Sequence, residues 1–254
     1  PLGVHRAEFR FAQEGMELIY LRRYDAALQE FEVAGIEFPD SPLGPLGRSL
    51  VYQAMMVENY DYHWDATYRS EFAETQERLR LAMRSRANRS WIYFMYAVHL
   101  GVDAMYDVRR SEYISALNKA WDAMEYIKKL HRKEPHFHDA KLALGLYNYW
   151  RTAITEQVPY LPRFGDRREQ GLKQMREARE LGFLCSAPAS VALTYSYIEG
   201  KKWGEATAEA YWAKKRFPDN IINQMTLARV HRYKKEFKTA LAAFQEVLQV
   251  DPDN

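Results

Sequence analysis

The chain has 254 residues, 36 of them basic and 34 acidic, so its formal net charge is only +2. A balance this close to neutral gives no reason to expect nucleic acid or an anionic membrane as a partner. Hydrophobic residues make up 47% of the chain and charged residues 28%, which excludes a disordered protein. With 12 Gly and 10 Pro, turn residues are few for this length, and the composition favours helices over a turn-rich β protein.

Apolar residues recur with the helical period along most of the chain, in twelve segments that follow one another as six pairs. We predict helices at 6–21, 25–38, 43–60, 66–87, 90–109, 111–133, 137–153, 166–181, 187–199, 203–217, 220–234 and 237–250. In the fourth pair, TEQVPYLPRFGD at 155–166 is predicted to be an irregular insertion, because Pro159, Pro162 and Gly165 interrupt a helix. No apolar run is long enough for a transmembrane segment.

One spacing of apolar residues before a proline recurs near both ends of the chain. Its three copies are Tyr24, Ala27, Phe31 and Ala34 before Pro39, then Trp203, Ala206, Ala210 and Ala213 before Pro218, and Phe237, Ala240, Phe244 and Val247 before Pro252. A weaker fourth copy ends at Pro135, and Pro218 and Pro252 are 34 residues apart. Offsets of three and four place the apolar residues on one helix face, and the proline ends the helix before the next unit begins.

Small residues mark the first helix of several pairs. Gly15 and Ala228 stand at the same distance before Ala27 and Ala240, and KLALGLYNYW at 141–150 contains a Leu-Gly pair. With these residues and the 34-residue period, the chain resembles the tetratricopeptide repeat family. The resemblance implies an all-α fold, a tetratricopeptide-type α-solenoid in which about six antiparallel helix pairs form a right-handed superhelix over a single domain, 1–254.

Residues of about 120–254 are similar to a narrower group. ALGLYNYW, the Pro-containing loop, GDRREQGLKQMREARELG and YIEGKKWGEA resemble, in that order, a subgroup of bacterial tetratricopeptide proteins that are typically exported or envelope-associated. This resemblance implies a scaffold role in a cell-envelope or other multiprotein assembly and no chemistry. A periplasmic or envelope location is expected from it, with a cytoplasmic location as the alternative.

Family members bind a peptide or a partner helix in a concave groove lined by the first helix of each pair. The resemblance therefore implies a non-catalytic protein–protein interaction scaffold with ten candidate groove residues. These are Met16, Tyr20, Tyr149, Trp150, Tyr195, Glu199, Met225, Arg229, Arg232 and Tyr233. The alternative for several of them, Tyr149 above all, is packing between neighbouring repeats.

The chain ends with DPDN, at a repeat boundary. We expect one of two explanations: the sequence is a fragment of a longer array, or its last helix pair exposes an apolar face through which the protein self-associates.

Two polar clusters suggest alternative functions. His131, His136 and His138 lie beside Asp139 and suggest a regulatory or metal-binding module, although a polar turn between helices is the simpler explanation. The stretch Arg78–Arg89 carries five arginines and suggests a nucleic-acid-binding helix, but its arginines are spread around the helix and alternate with apolar residues. We found no phosphate-binding loop, zinc-binding helix or nucleophile elbow, so we expect no catalysis, no cofactor and no metal.

Overall fold

The structure is a computed structural model that describes residues 2–85, 89–157 and 165–250. These residues form twelve α-helices and contain no strand. In chain order the helices are α1 Arg6–Tyr20, α2 Tyr24–Glu37, α3 Leu43–Glu58, α4 Asp65–Ala82, α5 Arg89–Arg109, α6 Tyr113–Lys133, α7 Ala140–Gln157, α8 Arg168–Leu181, α9 Ser186–Glu199, α10 Trp203–Arg216, α11 Ile221–Tyr233 and α12 Phe237–Val250. The predicted all-α fold of antiparallel helix pairs is confirmed.

The chain divides into two compact units, Pro1–Ala140 and Lys141–Asn254. The first contains the pairs α1–α2, α3–α4 and α5–α6, and the second contains the pairs α7–α8, α9–α10 and α11–α12. Within each unit, successive helices pack against one another. That the whole chain is one domain stays a prediction.

A glycine-lined slot for an aromatic ring explains the repeat spacing in the first unit. The ring of Phe31 on α2 lies against Gly15 of α1 and against Gly47 of α3. A Cβ atom on Gly15 would be 2.3 Å from Cζ of Phe31, and one on Gly47 would be 2.0 Å from its Cδ1. Only glycine leaves room for the ring at these two positions, so Phe31 connects a helix pair to the first helix of the next one.

Among the described connections, the same turn joins the two helices of five pairs. A residue with positive φ follows the first helix in each: Arg22, Tyr60, Ser111, Lys201 and Lys235. The next amide then bonds back into the helix, as from Glu236 N to His231 O at 2.9 Å and from Lys202 N to Tyr197 O at 2.8 Å. This is the six-to-one hydrogen bond of a Schellman motif. The repeat is therefore visible in the backbone as well as in the spacing of side chains.

α4 ends at Ala82, five residues before its predicted end. The amides of Arg84 and Ser85 bond to carbonyls only three residues earlier, which tightens the last turn and stops the helix. The stretch Arg78–Arg89 is therefore not one helix: its first part belongs to α4, Arg89 begins α5, and Arg86 lies outside the described residues.

α7 is shifted towards the C-terminus relative to its predicted range. A turn around Phe137 replaces its predicted first residues, and the helix continues to Gln157 because the first helix breaker in this part of the sequence is Pro159. Residues 158–164 of the predicted insertion lie outside the described residues. Asp166 accepts the amide of Arg168, the first residue of α8, at 2.9 Å.

Candidate partner-binding surface

The ten predicted groove residues are divided between the two units. Met16 and Tyr20 lie on α1 of the first unit, and both are half-buried. The other eight lie on α7, α9 and α11, which are the first helices of the three pairs in the second unit. The second unit therefore contains the larger part of the predicted surface.

Each first helix of the second unit carries apolar residues that are partly exposed. Leu146 and Trp150 are one turn apart on α7, and both pack against the buried core of the unit while remaining partly accessible. Ile198 occupies a similar position on α9. We call the surface formed by Leu146, Trp150, Tyr195, Ile198, Met225 and Arg229 the first-helix face.

Tyr149 does not belong to this face, and its prediction as a groove residue is corrected. Its side chain is 2% exposed within the core of the second unit. The hydroxyl oxygen lies 2.6 Å from the carbonyl oxygen of Ser196 and 2.7 Å from Oε2 of Glu199. Burial, together with the Glu199 carboxylate, raises the pKa of Tyr149 above its ordinary value. Tyr149 thus packs α7 against α9, which is the alternative that the sequence left open.

Glu199, at the end of α9, is engaged by the same contact. Its Oε2 atom is the partner of the Tyr149 hydroxyl, so the carboxylate helps to hold α7 and α9 together. The side chain is half-buried and is therefore partly available to solvent. In this structure Glu199 has a packing role at the margin of the first-helix face.

Tyr195 and Arg229 are brought together by the fold. They lie on α9 and α11, 34 residues apart, and Nη1 of Arg229 donates to the hydroxyl of Tyr195 at 2.9 Å. Both side chains are half-buried, as is Met225 one turn before Arg229. The contact places a guanidinium group beside a tyrosine hydroxyl on the neighbouring first helix.

Arg232 and Tyr233 continue this surface into the last turn of α11. Both are exposed, and the guanidinium carbon of Arg232 lies 5.2 Å from the centre of the Tyr233 ring. A cation over an aromatic face is attracted to it, and the stacking limits the freedom of two exposed side chains. The α11 end of the surface therefore carries two arginines one turn apart.

The second helices of the unit present a different surface. Their charged side chains pair between helices: Lys202 with Glu169 at 2.6 Å, and Arg179 with Glu209 at 3.2 Å. Arg179 also lies 4.4 Å from the centre of the Trp212 ring. The second helices also expose large apolar side chains, so exposed apolar surface is not confined to the first-helix face.

The structure does not assemble the predicted histidine cluster into a metal site. His131 lies in the last turn of α6, and His136 and His138 lie in the connection to α7. Among residues 2–85, 89–157 and 165–250, no three His, Cys, Asp or Glu side chains are arranged to hold a metal ion. The three histidines thus belong to the end of α6 and the turn that follows it.

The arginines proposed for nucleic acid are largely engaged by neighbouring groups. Arg78 donates to the carbonyl oxygen of Pro39 at 2.9 Å and pairs with Glu74, and Arg80 pairs with Glu77. Because α4 ends at Ala82, these two side chains and Arg89 do not share a helix face. The geometry gives no support to a phosphate-binding helix.

The sequence interpretation missed two parts of the surface. Leu146 was not named, although its spacing of four residues before Trp150 places it on the same helix face. Ile198 was not predicted either, although its spacing of three residues after Tyr195 places it on the same side of α9. The helical period was the available signal in both cases.

Of the described helices, none combines the length and the apolar character that crossing a membrane requires. No protein-family model matches the chain, and no curated protein matches it.

The helix pairs, with small residues where first and second helices cross, define an all-α fold of the tetratricopeptide type. Among solved structures, the chain is similar to the complex of the TPR2AB domain of yeast Sti1 with pHSP90, at 14% identity and a TM-score of 0.35. The match covers 96% of this chain and 90% of that one. At this level of similarity the likeness carries no argument about function.

Proposed function

We propose that this chain is a non-catalytic scaffold that binds a segment of a partner protein on the first-helix face of its second unit. Leu146, Trp150, Ile198 and Met225 offer partly exposed apolar surface on three successive first helices. Aromatic and arginine side chains are the residue types that contribute most to binding energy at protein interfaces. The surface combines both types around an apolar centre.

The observation that carries the proposal is the contact between Tyr195 and Arg229. It positions a guanidinium group at the edge of the apolar surface, and Arg232 lies one turn further along α11. Arginine presents several donors in a planar arrangement that matches a carboxylate. We infer that the partner segment carries apolar residues for α7 and α9 and an acidic residue for α11.

The titratable groups with strongly shifted pKa values have packing roles, which fits a scaffold. Burial raises the pKa of Tyr24, whose hydroxyl donates to Glu58 at 2.6 Å. Burial likewise raises the pKa of Tyr68, whose ring stacks on Tyr106. Each of these groups joins two helices of the first unit.

Three finer expectations stay predictions. The envelope location and the role in a bacterial multiprotein assembly rest only on the resemblance of the sequence. Self-association through the C-terminal helix pair is consistent with the exposure of Phe237 and Leu241 on α12. The proposed binding of a partner on the first-helix face does not depend on any of these three expectations.

Selection of random peptides on the purified full chain tests the proposal. We expect enriched peptides to combine apolar residues with at least one acidic residue, and to lose most of their affinity for the Trp150→Ala variant. Tyr211→Ala is the matched control, because Tyr211 is an exposed aromatic residue on α10, a second helix. Circular dichroism would confirm that both variants are folded.

Two results would contradict the proposal. One is a selection that enriches no peptide, and the other is a set of peptides whose affinity is the same for Trp150→Ala and wild type. Loss of affinity in Tyr211→Ala alone would place the binding surface on the second helices instead.

A further inference from the structure

The tip of the α5–α6 pair exposes a group of large apolar side chains. On α5 these are Met105 and Val108, and on α6 they are Tyr113, Ile114, Leu117 and Trp121. Their exposed fractions range from 43% for Val108 to 81% for Ile114, with Trp121 at 61%. We call these six residues the hairpin patch.

The six residues lie on one side of the helix pair. On α5, Tyr106 faces α4, where its ring stacks on Tyr68, and Met105 and Val108 are turned away from that contact by the helical period. On α6, Ala116 and Ala123 face α5 and are buried, and Leu117 and Trp121 follow on the adjoining arc of the helix. The patch is therefore a two-helix surface on the side away from α4.

On the side of the pair that faces α4, an ion cluster with two buried carboxylates joins the two helices. Nζ of Lys119 on α6 lies 2.5 Å from Oδ2 of Asp103 and 2.6 Å from Oδ2 of Asp107, both on α5. Asp103 is also within hydrogen-bond distance of the Tyr68 hydroxyl on α4. The cluster sets the register of α5 against α6, so the apolar side chains are presented by a defined surface.

The chemistry of the hairpin patch suits pairing with itself. None of its six side chains is charged, so these side chains cause no electrostatic repulsion when two copies bind face to face. At the adjoining turn, Arg110 and Glu112 pair with each other at 3.0 Å. Exposed side chains of this size offer roughly 700 Å² of apolar surface, close to the roughly 800 Å² that each partner contributes to a stable interface of standard size.

We propose that the hairpin patch binds the hairpin patch of a second copy of this chain, forming a twofold symmetric dimer. Two antiparallel helix pairs would then pack as a four-helix bundle, for which Ile114, Leu117 and Trp121 have the required spacing of three and four residues. The same surface patch serves both partners, as twofold symmetry requires. This site is on the first unit and is independent of the first-helix face.

Sedimentation equilibrium of the full chain tests the dimer. We expect wild type to be dimeric at low micromolar concentration, and Leu117→Glu to raise the dimer dissociation constant at least a hundredfold, because twofold symmetry places two buried carboxylates in one interface. Leu181→Glu on α8 is the matched control, since Leu181 is also an exposed leucine, at 52% against 60% for Leu117. That control is expected to leave the dissociation constant unchanged.

Cross-linking provides a second measurement. In a Cys185→Ser background, Leu117→Cys is expected to form a covalent dimer on mild oxidation, whereas Leu181→Cys is not. The proposal is wrong if wild type sediments as a monomer at high micromolar concentration. It is equally wrong if Leu117→Glu dimerises as wild type does, and loss of the dimer in Leu241→Glu alone would assign self-association to α12.

Discussion

Gly145 of α7 and Gly171 of α8 bring two helix backbones into direct contact. A Cβ atom on Gly145 would lie 2.7 Å from the carbonyl oxygen of Gly171, and a Cβ atom on Gly171 would lie 2.7 Å from the carbonyl oxygen of Gly145. Because the obstructing atoms belong to the backbone, a side chain cannot be accommodated by a change of rotamer. The close crossing of α7 and α8 therefore depends on both glycines.

Gly145→Ala is expected to destabilise the protein by about 2 to 3 kcal/mol, because the helices must separate to admit the methyl group. Gly204→Ala on α10 is the control, since a Cβ atom there would meet nothing within 4 Å. That variant is expected to gain about 0.5 to 1 kcal/mol from helix propensity. Urea unfolding followed by circular dichroism measures both, and equal stabilities would contradict the packing described for α7 and α8.

The hydroxyl of Tyr149 is expected to contribute measurably to stability. Tyr149→Phe keeps the buried ring but leaves the Ser196 carbonyl and the Glu199 carboxylate without their hydrogen-bond donor, at a cost of about 1 to 2 kcal/mol. Tyr211→Phe, at an exposed tyrosine, should change the free energy of unfolding by no more than about 0.5 kcal/mol. If both variants were as stable as wild type, the hydroxyl contact would have no energetic role.

His99 is expected to make the protein less stable in acid. Burial, and secondarily the charge of Lys119, lowers the pKa of His99 to about 4, whereas in the unfolded chain it is about 6.5. Between these two values the unfolded chain binds a proton that the folded chain does not. Stability therefore falls as the pH decreases through this window, by up to about 1.4 kcal/mol per pH unit.

A variant with Leu in place of His99 isolates this effect. We expect the free energy of unfolding of His99→Leu to change less than that of wild type between pH 6.5 and pH 4, when urea titrations are compared at several pH values. His99 stacks on Phe72 with the ring centres 3.8 Å apart, so the apolar replacement keeps part of this packing. Identical pH profiles for the two proteins would show that His99 does not remain neutral in the fold.

Lys119 is expected to be far more important to stability than a surface lysine. Lys119→Met leaves Asp103 and Asp107 facing each other with little solvent, and breaking a buried ion cluster in this way costs about 3 to 5 kcal/mol. Lys214→Met is the control, because Lys214 is about as exposed as Lys119 but its partner Glu246 is 54% exposed, so this pair contributes less than about 1 kcal/mol. Thermal unfolding of the two variants in parallel would reveal the difference, and equal midpoints would argue against a structural role for the cluster.

Arg229 is expected to select an acidic partner segment. For a peptide enriched by selection on the full chain, Arg229→Glu should lower the affinity at least tenfold by replacing attraction with repulsion. Lys173→Glu makes the same change of charge at an exposed position on α8 and should have little effect. Fluorescence titration with a labelled peptide gives both values. Equal losses would indicate a response to net charge alone.

Helices and their pairing could be predicted from the sequence because both depend on neighbours along the chain. The spacing of Tyr24, Ala27 and Phe31 marks one face of a helix, and the prolines mark where helices stop. Gly15 and Gly145 were recognised as crossing points from the same repeat. The spacing of apolar residues does not show the hydrogen bonds that end α4 at Ala82. The predicted end of this helix therefore lies five residues too late.

The identity of the exposed faces depended on contacts between residues far apart in the chain. Tyr149 and Tyr195 are both aromatic residues on first helices. Tyr149 is buried and bonds to the Ser196 carbonyl, whereas Tyr195 is half-buried and accepts a hydrogen bond from Arg229. The need for glycine at Gly47 and Gly171 comes from Phe31 and Gly145, which lie on other helices and pack directly against them. The hairpin patch likewise continues the apolar period of α6, and no sequence pattern distinguishes its exposed residues from buried ones.

Taken alone, the sequence determined that the chain folds as helix pairs, because helix period and helix breakers act over a few residues. Only the tertiary structure decided which side of each helix is covered, because burial is set by the neighbouring helix and not by the residue itself. Candidate binding residues therefore had to be separated from packing residues by their three-dimensional contacts.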